Sequence, residues 1–593
     1  MNSMVRPLPP LADILEFNNS KTELQLDSTL SFHIYRNFTF EGVEPFLTYQ
    51  CLLQGIHPTI HFGGYDTIFQ DVLELSVSSS IKPPDVIILS IILEQLDFSY
   101  GQPEWRSESA QARLLELFQA AADNTTSAVI VNTFIPPYDT DYGIASGFEL
   151  IERIAEVGAI NQVIREFVLR NNTRFFLVDC ERLARIFGEQ ETMDYRFWYM
   201  SRAPFKPLFL NQYALEIVKV ANALKGKAKK CLVLDCDNTL WGGVVGEDQL
   251  HGIKLDRHSY PGNLFYNFQL QVLRLYRRGV IIALVSKNNE NDVWEVLDHH
   301  SSCLLKREHI AAYRINWDDK ASNIRGIAAD LNLNLDSFVF VDDSPTECEL
   351  VRTILPDVTV VQVPSKLYLL PGVLARVGFF DTLVISDEDR QRSNLYRTEV
   401  ERKKTEAKMS SVDEYLASLG LVAEIRRANP LDFGRVAQLT QKTNQFNLTT
   451  RRYSAAQIAN FSSNENTAVF SLCARDRFGE YGLTGVFIAF RDGNIGRIDS
   501  FLLSCRILGR SLEVVFFNRC LDQLCDSWNI SEWFAQYIPS NKNEQTAGFF
   551  AKFGFSVFSV EKDNVTYHCN SNQRIISPIP YITLKEDADG NLS

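Results

Sequence analysis

The fold of the middle of the chain is decided by one stretch, Cys231-Leu232-Val233-Leu234-Asp235-Cys236-Asp237-Asn238-Thr239-Leu240. Its four apolar residues predict a buried strand, and the strand ends directly in acidic residues. Because side chains alternate along a strand, Asp235 and Asp237 point to one side and Cys236 to the other. One carboxylate can attack a phosphorus centre, and the second can protonate the leaving oxygen and later activate water. The stretch therefore predicts a phosphoryl-transfer site.

Two further β-rich runs, residues 280–285 and 338–341, also end in polar side chains, and an amphipathic helix is predicted over residues 321–331. Phosphoryl transfer requires the phosphate oxygens to be neutralised, which a magnesium ion and a lysine can do together. The sequence supplies candidates for both tasks in chain order, namely Ser286 with Lys287 and Asn288, then Lys320, then Asp342 with Asp343.

In this order the motifs resemble those of the haloacid-dehalogenase superfamily of phosphotransferases, which implies a Rossmann-like core. By this resemblance Asp235 is the nucleophile and Asp237 the general acid and base. Ser286 and Lys320 would grip the phosphate. Magnesium would be held by Asp235, Asp342 and the backbone carbonyl of Asp237.

The resemblance narrows to the FkbH-like family on four blocks, residues 230–248, 286–290, 316–324 and 441–449. It implies an enzyme that takes a glyceryl group from a 1,3-bisphosphoglycerate-like, phosphorylated three-carbon substrate, releases phosphate and loads the group as a thioester on an acyl carrier protein. Two alternatives stay open. One is a plain phosphatase acting on a small phosphate ester, and the other is a non-catalytic scaffold that binds carrier proteins in polyketide or polysaccharide biosynthesis.

The acceptor in such a transfer must be a thiol, either the pantetheine arm of the carrier or first a cysteine of the enzyme. Cys236 is the candidate relay because it lies between the two aspartates. Because side chains alternate along a strand, however, Cys236 should point towards the apolar core, where small buried thiols are common. The glycine-rich residues 241–248 that follow predict a cap over the substrate or a tight turn, and the turn does not exclude the cap.

The C-terminal segment, residues 411–575, predicts an α+β domain that resembles the GNAT-type N-acetyltransferases. The resemblance rests on a strand-like run, residues 498–503, followed by a loop and an amphipathic helix whose first amides can cradle a pyrophosphate. The implied cofactor is coenzyme A or a carrier-borne phosphopantetheine, and the alternative is a structural or docking role. Arg506 and Gly509 match the Arg-x-x-Gly-x-Gly/Ala loop of that family, and Ser511 replaces its final Gly or Ala. The candidate binding residues are Arg506, Gly509, Arg510 and Ser511.

The N-terminal segment, residues 1–225, alternates β-rich runs with helical patterns and predicts a parallel α/β domain. It is similar to SGNH-type hydrolases, but the Gly-Asp-Ser nucleophile motif is absent, since Arg36-Asn37-Phe38-Thr39 stands in its place. The Asp-x-x-His motif of these hydrolases is absent as well, because Asp194 is followed by Tyr195, Arg196 and Phe197. A non-catalytic domain that recognises a substrate or partner is therefore predicted.

Composition limits the classes of binding partner and the cellular compartment that the sequence predicts. The 593 residues carry a net charge of −14, which disfavours unspecific binding to nucleic acid or anionic membranes. The lack of a signal-peptide pattern and the eleven cysteines without a Cys-x-x-Cys pair predict a cytoplasmic protein. The predicted organisation is a mixed α/β multidomain chain, with a core at 226–382, a charged helical connector at 383–410 and a loose tail at 576–593. The connector is either solvated or a basic ridge for an acidic carrier protein.

Overall fold

The structure is a computed structural model that divides the chain into two compact units between Leu224 and Lys225. It describes residues 8–20, 28–75, 83–102, 104–140, 142–145, 152–374, 378–383, 385, 395–396, 398, 402, 411–540, 542–561, 564–575 and 578–585. The predicted connector at 383–410 lies almost wholly outside these residues. The predicted loose tail at 576–593 is corrected in its described part, because Ile582–Lys585 forms a strand that pairs in parallel with residues 421–424.

The N-terminal unit is built on a five-stranded parallel sheet in the order β2-β1-β3-β4-β5. Strands β3 and β4 are buried along their whole length, as expected for a parallel sheet covered on both faces by helices. The strands are β1 Ser28–Arg36, β2 Ile56–Tyr65, β3 Val86–Ser90, β4 Ala128–Asn132 and β5 Phe175–Val178. The helices are α1 Leu11–Asn19, α2 Glu44–Leu53, α3 Ile68–Glu74, α4 Leu93–Leu96, α5 Glu108–Asn124, α6 Arg153–Arg170, α7 Cys180–Phe187, α8 Glu189–Thr192, α9 Tyr195–Ser201 and α10 Pro207–Leu224.

The central domain has a second five-stranded parallel sheet, in the order β10-β9-β6-β7-β8. Its middle strands are fully buried because helices cover both faces. The strands are β6 Cys231–Leu234, β7 Ile281–Ser286, β8 Ile310–Ile315, β9 Phe338–Asp342 and β10 Thr359–Gln362. The helices are α11 Val245–Gly252, α12 Gly262–Arg277, α13 Glu290–His299, α14 Lys320–Leu331 and α15 Pro345–Ile354.

The C-terminal domain is α+β, with a mostly antiparallel sheet in the order β17-β18-β16-β15-β14-β13-β11-β19. The helices are α16 Val412–Ser418, α17 Phe433–Lys442, α18 Ala455–Ser463 and α19 Leu512–Trp528. The strands are β11 Leu421–Arg427, β12 Phe446–Asn447, β13 Thr467–Asp476, β14 Gly479–Asp492, β15 Ile495–Leu503, β16 Glu532–Tyr537, β17 Ser556–Glu561, β18 Asn564–Asn570 and β19 Ile582–Lys585.

The short strand β12 closes a gap in this sheet. Strands β15 and β16 run parallel and pair only where Ile495–Ile498 faces Glu532–Ala535. Past that point β12 takes the free edge of β15, and the backbone N–H of Leu448 donates to the carbonyl of Phe501 at 3.1 Å. On its other side Leu448 accepts from the N–H of Ile538 at 2.9 Å. The divergence of the two strands is therefore filled by the chain itself.

The central and C-terminal domains belong to the same compact unit and touch closely. Gly226 adopts a left-handed conformation with φ of 65°, and a Cβ atom there would collide with the carbonyl oxygen of Gln441. The amide of Asn332 also donates to the carbonyl of Cys505 at 2.6 Å. The mixed α/β, multidomain fold class predicted from the sequence is confirmed.

Candidate active site

Three strands of the central sheet end next to one another in polar side chains. Asp235 follows β6, Ser286 is the last residue of β7, and Asp342 is the last residue of β9. Because β9, β6 and β7 are neighbours in the sheet, these side chains meet at its carboxyl edge. This edge is where ligands bind in open parallel sheets.

Lys320 connects two of these strand ends. It is the first residue of α14, whose N-terminus is capped by Asp319. The ammonium nitrogen Nζ lies 3.0 Å from Oδ1 of Asp235 and 2.6 Å from Oδ2 of Asp342. All three side chains are buried, with at most 5% of each residue exposed. The two carboxylates fix the position of the ammonium group, which can then donate to a phosphate oxygen.

Burial and the neighbouring charges shift the pKa values of Asp235 and Lys320. Burial raises the pKa of Asp235, and the neighbouring Asp342 carboxylate raises it further against the opposing pull of Lys320. Although burial alone would lower the pKa of Lys320, the two carboxylates raise it above its ordinary value. The lysine is therefore held in its charged form.

A metal ion fits the same edge of the sheet. Carboxylate oxygens of Asp235, Asp342 and Asp343 lie within 4.8 Å of one another. Burial, followed by the charge of Asp342, raises the pKa of Asp343, so a cation beside it would relieve an unfavourable negative charge. Oxygen ligands of this kind are those that magnesium prefers. Asp343 thus joins the metal-binding candidates Asp235 and Asp342.

The side chain of Asp237 is oriented by three hydrogen-bond donors. Its Oδ1 accepts from Nε1 of Trp241 at 2.9 Å and from the backbone N–H of Val245 at 3.1 Å. Its Oδ2 accepts from Nδ2 of Asn288 at 3.0 Å, and the same amide reaches Oγ of Ser286 at 3.1 Å. A carboxylate fixed in this way sits next to the predicted nucleophile with one orientation, as a general acid and base requires.

Sequence reasoning named Trp241 only as the first residue of the glycine-rich segment 241–248, and Asn288 only as a neighbour of Ser286. A local signal exists for the first, since Trp241 follows Asp237 by four residues in a tight turn. The contact of Asn288 with Asp237 forms only when two neighbouring strands come together, so no local sequence signal predicts it.

The loop after β6 is a hydrogen-bonded turn in this structure, which agrees with the tight-turn alternative. Asn238 accepts from the N–H of Gly243 at 2.9 Å, and Gly242 exchanges backbone hydrogen bonds with Lys254. Gly243 has φ of 96°, and a Cβ there would meet a carboxylate oxygen of Asp248. A larger residue could not take its place without rearrangement.

Cys236 lies in the apolar core under the sheet edge, on the side that period two predicts. It is fully buried among residues such as Leu234, Leu240 and Trp241. Burial raises the pKa of its thiol well above the ordinary value, and the charge of Asp235 adds to this. A neutral, enclosed thiol is a poor nucleophile, so the geometry disfavours Cys236 as a covalent relay.

The C-terminal loop proposed for coenzyme A is arranged differently. Gly509 is exposed with φ of 78°, and Ser511 at the start of α19 has φ of 60°. Arg506 and Arg510 are buried instead. Arg510 donates to the carbonyl of Arg506 at 2.7 Å and its guanidinium lies 5.3 Å from the centre of the Tyr481 ring. These contacts favour the structural alternative for the loop.

In the N-terminal unit, the residues standing in place of a hydrolase nucleophile hold the backbone together. Asn37 exchanges two hydrogen bonds with the backbone of Ile92, at 2.9 and 3.0 Å. Arg36 donates to the carbonyl of Gly64 at 2.8 Å. Asp194 caps α9. These contacts give Arg36, Asn37 and Asp194 structural roles, and the non-catalytic role of the domain stays a prediction.

Comparison with known proteins identifies the central domain. Residues 230–356 match the family model described as NLI interacting factor-like phosphatase. With the site geometry, this shows a phosphatase domain of the haloacid-dehalogenase type. No curated protein matches the chain.

Solved structures give the fold of a larger part of the chain. The N-terminal part of a Bacteroides fragilis protein that contains a phosphatase domain, solved in complex with Mg, is 24% identical, with a TM-score of 0.57. The match covers 63% of this chain and 99% of that one. An acetyltransferase of the GNAT family from Streptococcus pneumoniae is 14% identical, with a TM-score of 0.20, and the match covers 25% of this chain and 98% of that one.

Among the described residues, every helix is too short or too polar to cross a lipid bilayer.

Proposed function

We propose that this protein is a magnesium-dependent phosphotransferase that removes phosphate from an activated three-carbon phosphoglycerate and loads the glyceryl group on the thiol of an acyl carrier protein. The observation that carries the proposal is the convergence of Asp235, Ser286, Lys320 and Asp342 at one sheet edge. The FkbH-like blocks suggest the substrate and the carrier.

In the phosphoryl-transfer step, a carboxylate oxygen of Asp235 attacks phosphorus, and the bond from phosphorus to the substrate oxygen breaks. Asp237 gives a proton to that oxygen. A water molecule, deprotonated by Asp237, then attacks the phosphorus of the aspartyl phosphate, which releases phosphate and restores Asp235. Ser286 and Lys320 bind the phosphate oxygens throughout.

Asp235, Asp342 and Asp343 would hold the magnesium ion, which would supply positive charge for the phosphate oxygens. The Bacteroides fragilis structure, solved with Mg bound to a related fold, supports this choice of metal. Chelation is expected to abolish phosphate release, and readdition of magnesium is expected to restore it.

The acyl transfer needs no ATP, because an acyl phosphate is already activated. The sulfur of the carrier's phosphopantetheine arm would attack the acyl carbon, forming a carbon–sulfur bond as the bond to the acyl phosphate oxygen breaks. The thiol proton leaves to solvent and one phosphate is released. Hydrolysis of the remaining phosphate ester at Asp235 releases a second phosphate, so two phosphates accompany each thioester.

Intact-protein mass spectrometry tests this proposal. A holo carrier protein encoded beside this protein is incubated with enzyme, magnesium and 1,3-bisphosphoglycerate, and free phosphate is measured in parallel. A glyceryl mass increment on the carrier with two phosphates released is expected. Phosphate release that is indifferent to the carrier would favour a plain phosphatase. Carrier binding and pathway flux that both survive Asp235→Asn would favour a scaffold and discard both enzymes.

A further inference from the structure

An ion pair spans the carboxyl edge of the central sheet beside the phosphatase site. Nζ of Lys287 donates to Oε1 of Glu347 at 2.7 Å. Lys287 follows the last residue of β7, and Glu347 lies in the first turn of α15, which follows β9. Because β6 lies between β7 and β9, the pair bridges about 10 Å of the edge, across the end of the strand that Asp235 follows. The two side chains therefore belong to the rim of this site.

The backbone on both sides of Lys287 is fixed by the site itself. Ser286 and Asn288 are buried, and the amide of Asn288 donates to Oγ of Ser286 at 3.1 Å. The carbonyl of Ser286 also accepts from the backbone N–H of Asn316 at 3.1 Å. Lys287 is only half-buried, with 38% of its side chain exposed. The lysine thus starts from a rigid position and keeps a side chain that a ligand can reach, which lowers the entropy cost of binding.

The two lysines of the site differ in what they can bind. Lys320 is buried between two carboxylates and faces the position of the transferred phosphate. Lys287 lies at the rim, and its partner Glu347 is a single carboxylate. An ion pair that is partly open to water contributes little stability, so exchanging Glu347 for a ligand anion costs little. A flexible ammonium group of this kind binds carboxylate or phosphate oxygens through charge-assisted hydrogen bonds.

The second oxygen of Glu347 indicates what accompanies that anion. Oε2 is buried, and no residue in the described part of the chain donates a hydrogen bond to it. A buried acceptor without a donor costs free energy, which a donor from a ligand would recover. The acceptor belongs to the same side chain that holds the ammonium of Lys287. A cation and an acceptor side by side complement an anionic group and a hydroxyl group on neighbouring carbons.

We propose that Lys287 and Glu347 determine the specificity of the phosphatase site by binding the part of the substrate that keeps its place when phosphate leaves. Lys287 binds a second anionic group, and Oε2 of Glu347 accepts from the hydroxyl group on the neighbouring carbon. The substrate is then a small phosphate ester of a hydroxy acid, and the second anion is a carboxylate or a phosphate. This inference rests on the proposed function for the position of the transferred phosphate at Lys320, and it adds the residues that select the substrate.

The test is isothermal titration calorimetry of the full chain in magnesium buffer, with phosphonates that a phosphatase cannot hydrolyse. The first probe, 2-hydroxy-4-phosphonobutanoate, carries both the carboxylate and the hydroxyl group. The probe 3,4-dihydroxybutylphosphonate lacks the carboxylate, and 4-phosphonobutanoate lacks the hydroxyl group. Wild type should bind the first probe at least about tenfold more tightly than either of the others. Butane-1,4-bisphosphonate identifies the anion, because tighter binding than 4-phosphonobutanoate assigns a phosphate to Lys287 and weaker binding a carboxylate.

Substitutions at the pair separate the two contacts. Lys287→Gln should weaken binding of the first probe by about tenfold and leave 3,4-dihydroxybutylphosphonate within about twofold, whereas Lys287→Arg should keep the preference for the carboxylate. Glu347→Met removes the acceptor and should abolish the preference of the first probe over 4-phosphonobutanoate. Arg352→Gln is the matched control, because it removes a cation that pairs with Glu349 on the same helix. It should bind every probe as wild type does.

Three results would overturn the assignment. Wild type that binds the probes equally, or binds none of them, has no such recognition at its rim. A Lys287→Gln variant that is folded by circular dichroism and loses affinity for all probes alike would show that the pair only braces two loops. Failure of the proposed function is read separately: the expected binding preferences without loading of the carrier in mass spectrometry would leave the specificity in place and discard glyceryl transfer.

Discussion

The chain contains two strand–loop–helix segments that both look suited to phosphate, and they differ in where their charged groups point. After β6, the acidic groups face Lys320 and Ser286 across the sheet edge. After β15, the arginines turn inwards and bond to the chain itself. The first segment depends on groups from three other elements, whereas the second is satisfied locally. The difference teaches that the site after β6 is assembled by partners from neighbouring elements and not by its local motif alone.

The largest expected effect is at the nucleophile. Asp235→Asn removes the attacking oxygen's charge but preserves shape, so phosphate release should fall by at least about 10,000-fold. A colorimetric phosphate assay measures this, and Asp256→Asn at an exposed turn of the same domain is the control. Turnover that survives in the Asp235 variant would show that the nucleophile lies elsewhere.

Lys320→Gln should reduce both activity and stability, because it leaves two buried carboxylates without their cation. The expected loss of unfolding free energy is about 3–5 kcal/mol in metal-free buffer. Without the ammonium, the pKa of Asp235 stays above its unfolded value, so the folded state binds more protons than the unfolded one. Stability of the variant should therefore rise as pH falls from about 7 towards about 4.

Urea unfolding at several pH values checks this, with the exposed Lys366→Gln as control. A variant whose stability is flat across that pH range would contradict the assigned role of the triad.

Arg510→Gln tests the second of the two segments, the loop after β15. It removes a buried guanidinium that bonds to a backbone carbonyl and faces Tyr481, so we expect a loss of about 2–4 kcal/mol in unfolding free energy. Phosphate release per folded molecule should stay the same. Chemical denaturation beside the phosphate assay separates the two effects, and Arg497→Gln serves as control. A selective loss of coenzyme A binding with unchanged stability would restore the cofactor role of the loop.

Trp241→Phe should lower kcat by about tenfold with little change in KM, because it removes one of the donors that orient Asp237. Leu240→Val in the same buried turn controls for lost packing. Steady-state kinetics distinguishes the two, since a packing defect alone would affect both variants similarly.

Cys236→Ala should have the smallest effect, within about twofold on carrier loading, because the thiol is enclosed and its pKa is raised. Mass spectrometry of carrier and enzyme checks this. An acyl increment on wild-type enzyme that disappears in the variant would establish the relay that the geometry disfavours.

Much of the central site could be predicted from the sequence because its signals are local. Buried apolar runs that end in Asp235, Ser286 and Asp342 specify strand ends, and parallel pairing then brings these ends together. The sequence could not predict that Lys320 lies between the carboxylates of Asp235 and Asp342, or that Asn288 donates to Asp237. These contacts depend on distances across the sheet.

The C-terminal loop shows the opposite case. The spacing of Arg506 and Gly509 indicates a phosphate loop, yet a spacing pattern does not specify which way a side chain turns. The contact between Arg510 and Tyr481 joins residues far apart in sequence. Pairing of β12 with β15 is likewise a long-range event over two residues, too short to leave a periodic pattern.

The closure of the β15 edge by residues 446–448 determines how this domain could meet an extended ligand. An edge that is already paired cannot recruit a strand from another chain or a backbone-like arm by simple addition. Such a ligand would first have to displace the segment, which Asn543 also holds through the carbonyl of Asn447 at 2.8 Å. Binding there would be an exchange of strands, slow to begin and sensitive to any substitution that loosens the resident segment.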